Sequence, residues 1–370
     1  MTRIILVAGF DYTFRGLSYR QLCKNRMDFL LAANKKQEPL TFDIFDVPAG
    51  TLETHAITYP AGKMARDVQH EDPEFTAIKR TQYEKRYKLG KALGNATISF
   101  PKDGLRGFMP ITRIYSHLLT IADSKEGVRE LSFFTYSWGT SPAPLGSMDD
   151  RKRRVYPVPR LRGSKPTVEI ITDGTRDPDD FDARKLDLQY PTLTFDEREK
   201  LQLAFELEAR CWIWGADFAF SDDPFLPELI DALVGQRGYR SRGLKDDTTF
   251  AFPNLRPAVK DRIALVLRFT PKDRKRFPLE LSWIKEYCCR TMGGCYAQLL
   301  AYRVPMLSIF SPGPGGVPKL EPGRRPLLRI DSKDPKSKKR AEFFTNYLGM
   351  KTDPEGRGYL DYSTLACPYP

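Results

Sequence analysis

The sequence predicts an α/β fold: a three-layer, mostly parallel sheet with helices on both faces. Three observations carry this. Ile4 to Phe10 (I-I-L-V-A-G-F) is a continuous apolar run closed by Asp11, the signature of a central strand covered on both faces. Leu131 to Thr135 (L-S-F-F-T) repeats it far along the chain. Between and beyond these runs, segments of helical periodicity alternate with short apolar strands, which is how helices and parallel strands take turns in such sheets.

The elements follow in order. After Ile4–Phe10 comes a loop, Asp11 to Gly16. Cys23, Met27, Leu30 and Leu31 then recur at i, i+4, i+7 and i+8, an amphipathic helix whose remaining surface is filled by Lys24, Asn25, Arg26 and Asp28. Leu40 to Val47 alternates apolar and polar residues, a second strand, and Pro48 to Thr51 turns it back into a return strand from Leu52 to Tyr59. Gly62 to Asp103 is charged and shows no helical pattern. Pro110 suits a first helical turn, followed by an apolar face of Ile111, Ile114, Leu118 and Leu119, with Gly127 as the stop. Asp149 to Arg162 is a basic, proline-rich connector, Val168 to Ile171 a short strand, and Asp173 to Asp187 an acidic loop. Thr194-Phe195-Asp196-Glu197 matches a capping box and opens a helix to about Ala209. Cys211 to Trp214 reads as a strand. A helix over Pro224 to Val234 is capped by Ser221 or Asp222. Ile263 to Phe269 reads as a strand, Leu279 to Tyr302 as a helix broken at Gly293-Gly294, and Pro305 to Phe310 and Leu327 to Ile330 as late strands. Lys336 to Leu348 is a final helix closed by Gly349.

This organisation is that of a single α/β domain over residues 1–370, with insertions at 60–108 and 237–260. With 41% hydrophobic and 12% aromatic residues the chain can bury a large core, which excludes general disorder. The formal net charge of +12 favours an anionic surface or an acidic protein as partner. No specific nucleic-acid motif accompanies the basic runs at Arg151 to Arg154 and Lys336 to Arg340. No apolar run is long enough for a transmembrane helix and no signal-peptide core follows Met1. The expectation is a protein made in the cytoplasm, with export by a route lacking a cleaved signal left open. The six cysteines form no C-x-x-C pair, and Cys288, Cys289 and Cys295 fall on an apolar helical segment as core residues.

The chemistry is expected at the carboxyl edge of the sheet, where open α/β sheets place it. Thr135-Tyr136-Ser137-Trp138-Gly139 approximates a G-x-S-x-G nucleophile elbow, with threonine for the first glycine. The three histidines, His55, His70 and His117, all precede Ser137, whereas an elbow enzyme takes its base from late in the chain. Asp11 and Arg15 follow the first strand, and Asp217 follows the strand ending at Trp214. A pocket of Asp11, Arg15, Tyr136, Ser137, Trp138 and Asp217 results, with Ser137 as nucleophile or hydrogen-bond donor and Asp217 as acid or orienter. No cofactor motif is present. A divalent cation is left open for the acidic loop, where Asp177, Asp179 and Asp180 are the metal-ligand candidates; the loop lacks the bidentate glutamate of an EF-hand, and Arg176, Arg184 and Lys185 are alternative partners for its carboxylates.

The strand ends Phe134-Thr135-Tyr136-Ser137-Trp138 and Trp212-Ile213-Trp214-Gly215-Ala216-Asp217 resemble, in their order and in the helix between them, the two that carry His-Gly and Cys in caspase-like peptidases. That resemblance puts Tyr136-Ser137 in place of His-Gly and Ala216 in place of the cysteine, which implies a core without thiolate chemistry. With Arg176 to Asp180 and Pro305…Ser311-Pro312-Gly313-Pro314-Gly315, the same ends are also similar to bacterial proteins that accompany toxin-delivery systems. The resemblance covers the core and not the insertions. Three functional expectations follow: a hydrolase-related bacterial effector or toxin working around Ser137; a catalytically inactive caspase-like scaffold that binds a protein or polyanionic partner; and a cation-dependent enzyme using the Asp173 to Asp187 loop.

Overall fold

The structure is a computed structural model that describes residues 2–9, 18–47, 50–71, 111–124, 126–135, 155–157, 169–171, 195–215, 225–270, 277–293, 295–330 and 334–367. The chain divides into two compact units, the first of Met1–Tyr136, Pro142–Trp212 and Gly323–Leu327, the second of Ser137–Ser141, Ile213–Pro322 and Leu328–Pro370. It is α/β, with a large mixed sheet that is parallel at its centre.

In the first unit β1 (Thr2–Ala8) lies between β2 (Leu40–Asp46) and β5 (Gly127–Phe134), parallel to both. The expected hairpin is present: β3 (Thr51–Thr58) returns antiparallel to β2, and β4 (Ala65–Glu71) pairs antiparallel with β3. Strands β6 (Val155–Pro157) and β7 (Glu169–Ile171) form a separate antiparallel pair, so part of the predicted basic connector is strand. On the other side of β5 lies β8 (Phe205–Ile213). Its second residue, Glu206, stands against Gly127 at the start of β5 and accepts a bond of 2.6 Å from the Thr2 hydroxyl at the start of β1, so β8 is parallel as well.

Side chains of adjacent strand residues point to opposite faces, and the register assigns a helix to each. Helix α1 (Tyr19–Ala33) covers the face of Phe42 and Glu130, whereas α2 (Ile111–Ala122) covers the face of Asp43. Helix α3 (Phe195–Leu201) packs on α2. It ends sooner than its capping box suggests: a 3-10 turn over Gln202–Ala204 leads into β8, where Phe205, Ala209 and Cys211 are buried. Glu208 has φ 62° and breaks the alternation, leaving Leu207 exposed. That irregularity let the segment read as helix.

Helix α1 departs from the expected pattern in another way. Its buried residues are Tyr19, Leu22, Cys23, Asn25, Arg26 and Met27, so Asn25 and Arg26, both expected on the surface, are buried while Leu30 and Leu31 are half-buried.

The second unit holds α4 (Leu226–Val234), α5 (Pro257–Val266), α6 (Leu281–Met292), α7 (Tyr296–Arg303) and α8 (Pro335–Tyr347). Helix α4 is preceded by Phe225 at the N-cap position, not by Ser221 or Asp222. The expected strand at Ile263 lies in α5, where Val259 and Ile263 are buried one turn apart. The predicted break at Gly293-Gly294 separates α6 from α7. Strands β9 (Thr249–Phe250) and β10 (Leu279–Glu280) form one antiparallel pair. A three-stranded antiparallel set contains β11 (Ser308–Ser311), β14 (Lys351–Thr352) and β15 (Leu360–Asp361). Strands β12 (Pro318–Leu320) and β13 (Leu328–Ile330) form a hairpin. Phe250, Phe252 and Leu255 are buried, so the polar-looking stretch 237–260 contributes to this core. Asp334 caps α8 through Lys336 and Ser337 backbone N–H groups, and Gly349 takes φ 71° after its end.

Cys289 at the end of α6 is bridged to Cys367, with Cα atoms 5.3 Å apart. The sequence predicts a core thiol at Cys289, since a pairing across 78 residues leaves no spacing signal. Cys23, Cys211, Cys288 and Cys295 are free and buried.

Candidate functional site

The connection that follows β1 leads to α1 on one face of the sheet, and the connection that follows β5 includes α3 on the face of α2. Two adjacent parallel strands whose connections leave in opposite directions open a crevice at their carboxyl ends, the topological switch point of an α/β sheet. Here that point lies between Ala8-Gly9 and Phe134-Thr135. The Gly9 N–H donates to the Phe134 carbonyl at 2.8 Å. A Cβ on Gly9 would run into the Thr135 side chain and lie 3.2 Å from its Cα. Thr135 is fully buried, so these two residues form a closed floor, and a side chain at position 9 has nowhere to go. Gly9→Ala is expected to destabilise the first unit by about 1–3 kcal/mol through overpacking, and Thr135→Gly should restore most of the loss. Chemical denaturation of the single and double variants checks this; equal stability of Gly9→Ala and the parent would contradict the seam.

Beside this floor the first turn of α1 faces the ends of β2 and β3. Ser18 caps the helix by accepting from the Gln21 N–H at 3.2 Å. Arg20 reaches Asp46 at 3.7 Å and also pairs with Glu53, and Lys24 approaches Glu53 at 3.9 Å. Arg66 donates to Nδ1 of His55 at 2.8 Å. Arginine only donates, so Nδ1 accepts, Nε2 carries the hydrogen and it points to Glu53 at 3.3 Å. Burial, then Arg66 and Lys24, push the His55 pKa down to about 4. Burial, Arg20 and Arg66 lower that of Lys24.

The opposite face holds a second network. Asp43 accepts from Arg3 at 2.7 Å, from His117 Nε2 at 2.9 Å and from the Thr54 hydroxyl at 2.8 Å. Burial pushes its carboxyl up, but His117 and Arg3 outweigh this and leave it below the ordinary range. His117 also stands edge-on to Phe45 with ring centres 5.3 Å apart. Both His55 and His117 are thus tied to carboxylates within the layers of the first unit, and neither belongs to the switch-point floor. The thiols of Cys23 and Cys211 are pushed well up, chiefly by burial, which keeps them protonated and unreactive.

The predicted site residues Asp11, Arg15, Tyr136, Ser137, Trp138 and Asp217 lie outside the described residues, as do Asp177, Asp179 and Asp180 of the acidic loop. What is described is the frame: Gly9 two positions before Asp11, and Thr135 immediately before Tyr136. Among the described residues no group of three or more His, Cys, Asp or Glu side chains could hold a metal ion, and no helix is long and apolar enough to cross a membrane. Sequence reasoning missed the buried charges Asp43 and Glu130. Their signal was present: an acid at an inward position of an otherwise apolar strand, L-T-F-D-I-F for β2 and V-R-E-L-S-F-F for β5, implies a partner from a neighbouring layer. Comparison with models of protein families, with curated proteins and with solved structures finds no significant match to this chain.

Proposed function

We propose that the carboxyl-edge crevice between β1 and β5 is the functional site, and that the chain is a hydrolase-related bacterial effector or toxin working there. The observation that supports this is the switch point itself, with its glycine–threonine floor. The segments that leave it carry the polar groups such chemistry needs: Asp11 and Arg15 after β1, and Tyr136, Ser137 and Trp138 after β5. Ser137 acts as nucleophile or hydrogen-bond donor. Since His55 and His117 are engaged elsewhere and His70 lies on the edge strand β4, separated from β1 by β2 and β3, its activation rests on a carboxylate and not on a Ser-His-Asp arrangement.

A fluorophosphonate probe tests the proposal. It should label the full chain and fail on Ser137→Ala, and the same substitution should abolish growth inhibition when the protein is expressed in a susceptible cell. No labelling together with undiminished inhibition by Ser137→Ala would remove the hydrolase reading.

A second reading, a caspase-like scaffold without catalysis, is favoured by the protonated thiols of Cys23 and Cys211 and by the engaged histidines. It accounts for a protein that binds its partner equally well with Ser137→Ala.

A further inference from the structure

The sheet of the first unit ends on a strand with one open side. β4 pairs with β3 along its whole length, in unbroken antiparallel register from Leu52↔Glu71 to Thr58↔Ala65. Among the described residues no strand lies on its other side, and all 7 of its residues are exposed. Such an edge offers a row of N–H and C=O groups to any extended chain, and proteins usually blunt it with proline, lysine, a bulge or brevity. β4, A-R-D-V-Q-H-E, has none of these devices. In the second unit, by contrast, the edge strand β14 has only 2 residues and begins with lysine.

The charges of β4 select what can pair with it. A second copy related by a twofold axis would lie antiparallel. Opposed residues in an antiparallel pair share a face, and neighbours along a strand alternate, so the axis must set one residue against its own copy. Centred on Asp67, the pair opposes Asp67 to Asp67. Centred on Gln69, it opposes Asp67 to Glu71. Like charges directly opposite destabilise a pair. Centred on Val68, it opposes Arg66 to His70, Asp67 to Gln69 and Ala65 to Glu71, and no like charges face each other at neutral pH. Val68 itself, 39% exposed, then meets the Val68 of the second copy. Lys63, just ahead of the strand, falls diagonal to Glu71 of that copy, within reach of a long side chain. Arg66 already donates to His55, and Glu71 already pairs with Arg113 of α2, so the register is chosen by which groups face each other and not by unsatisfied charge.

We propose that β4 is a self-association edge, on which a second copy of this chain adds its own β4 antiparallel with the twofold axis at Val68. Main-chain hydrogen bonds supply the affinity and the cross-strand side chains supply the register. β2 and β3 stand between β4 and β1, so the pairing does not involve the switch-point crevice.

Analytical ultracentrifugation of the full chain tests the proposal. The parent should shift from monomer to dimer as its concentration rises. Val68 is exposed, so Val68→Lys and Val68→Glu should melt as the parent does. Each should self-associate about tenfold more weakly, because a like-charge pair replaces an apolar one at the axis. An equimolar mixture of the two variants should dimerise again, since lysine then faces glutamate. A parent that stays monomeric up to millimolar concentration would leave the edge to some other chain and overturn the proposal. Undiminished dimerisation of Val68→Lys, or a mixture no more associated than its separate components, would overturn it as well.

Discussion

Arg26→Met is expected to cost the first unit about 3–5 kcal/mol, because it leaves the Glu130 carboxylate buried without its charge partner. The Arg26 side chain is fully buried and meets Glu130 in a two-pronged pair, Nε to Oε1 at 2.8 Å and Nη2 to Oε2 at 2.7 Å. Ser132 donates a further bond of 2.7 Å to Oε1. The guanidinium lies over the rings of Phe29 and Trp212, 5.1 and 5.2 Å from their centres, contacts that favour a cation. Helix α1 is therefore held to β5 by one charged side chain, among apolar contacts that tolerate other registers more readily. The double variant Arg26→Met/Glu130→Gln removes both charges and keeps an acceptor for Ser132, so it should be clearly more stable than Arg26→Met alone. Urea unfolding followed by tryptophan emission checks the cycle, with Trp212 beside the altered group as a local reporter. A loss below about 1 kcal/mol in Arg26→Met would mean that the pair contributes no more than a surface contact.

Opening the Cys289–Cys367 bridge is expected to have an effect of similar size in the second unit. The bridge closes a loop across 78 residues, and in the chain-entropy model a loop of that length restricts the unfolded state by about 4–5 kcal/mol. The tail it secures runs along the end of α8, where the Ala366 N–H donates to the Leu348 carbonyl at 3.0 Å. Cys367→Ser should therefore unfold at lower temperature than the parent and be indifferent to dithiothreitol, whereas the parent should fall to the level of the variant when reduced. A parent whose melting is unchanged by reductant would show that the two sulfurs are not joined in solution.

The α/β class and the parallel centre were legible because they rest on local signals. The apolar runs of β1 and β5, the alternation in β2 and the turn before β3 each specify their own conformation. Helix α1 was located but its inner face was misjudged. Arg26 is read as surface until its partner, 104 residues further on, is known. The same holds for Asp43, whose partners lie in β1, β3 and α2. The extension of α3 into β8 was hidden by Leu203 and Leu207, apolar residues that fit a helical stripe yet are both exposed. For the candidate site, the carboxyl-edge position follows from Gly9 and Thr135, two residues that could be read as strand ends. That they abut is a property of the sheet order, which no local pattern contains. The disulfide belongs to the same class, since two distant cysteines carry no mutual mark in the sequence.

The order of the central strands has a consequence for synthesis on the ribosome. β1 ends at Ala8, yet its neighbour β5 begins only at Gly127, and β8 beyond that at Phe205. At about 5–20 residues per second, roughly 6–25 s pass before the second edge of β1 can be covered. Through that interval the nascent chain presents an apolar strand with an open hydrogen-bonding edge, paired only on the β2 side. Such an intermediate is a substrate for chaperones that shield hydrophobic segments, and the yield of folded protein should depend more on the pace of translation than on the final stability of the sheet.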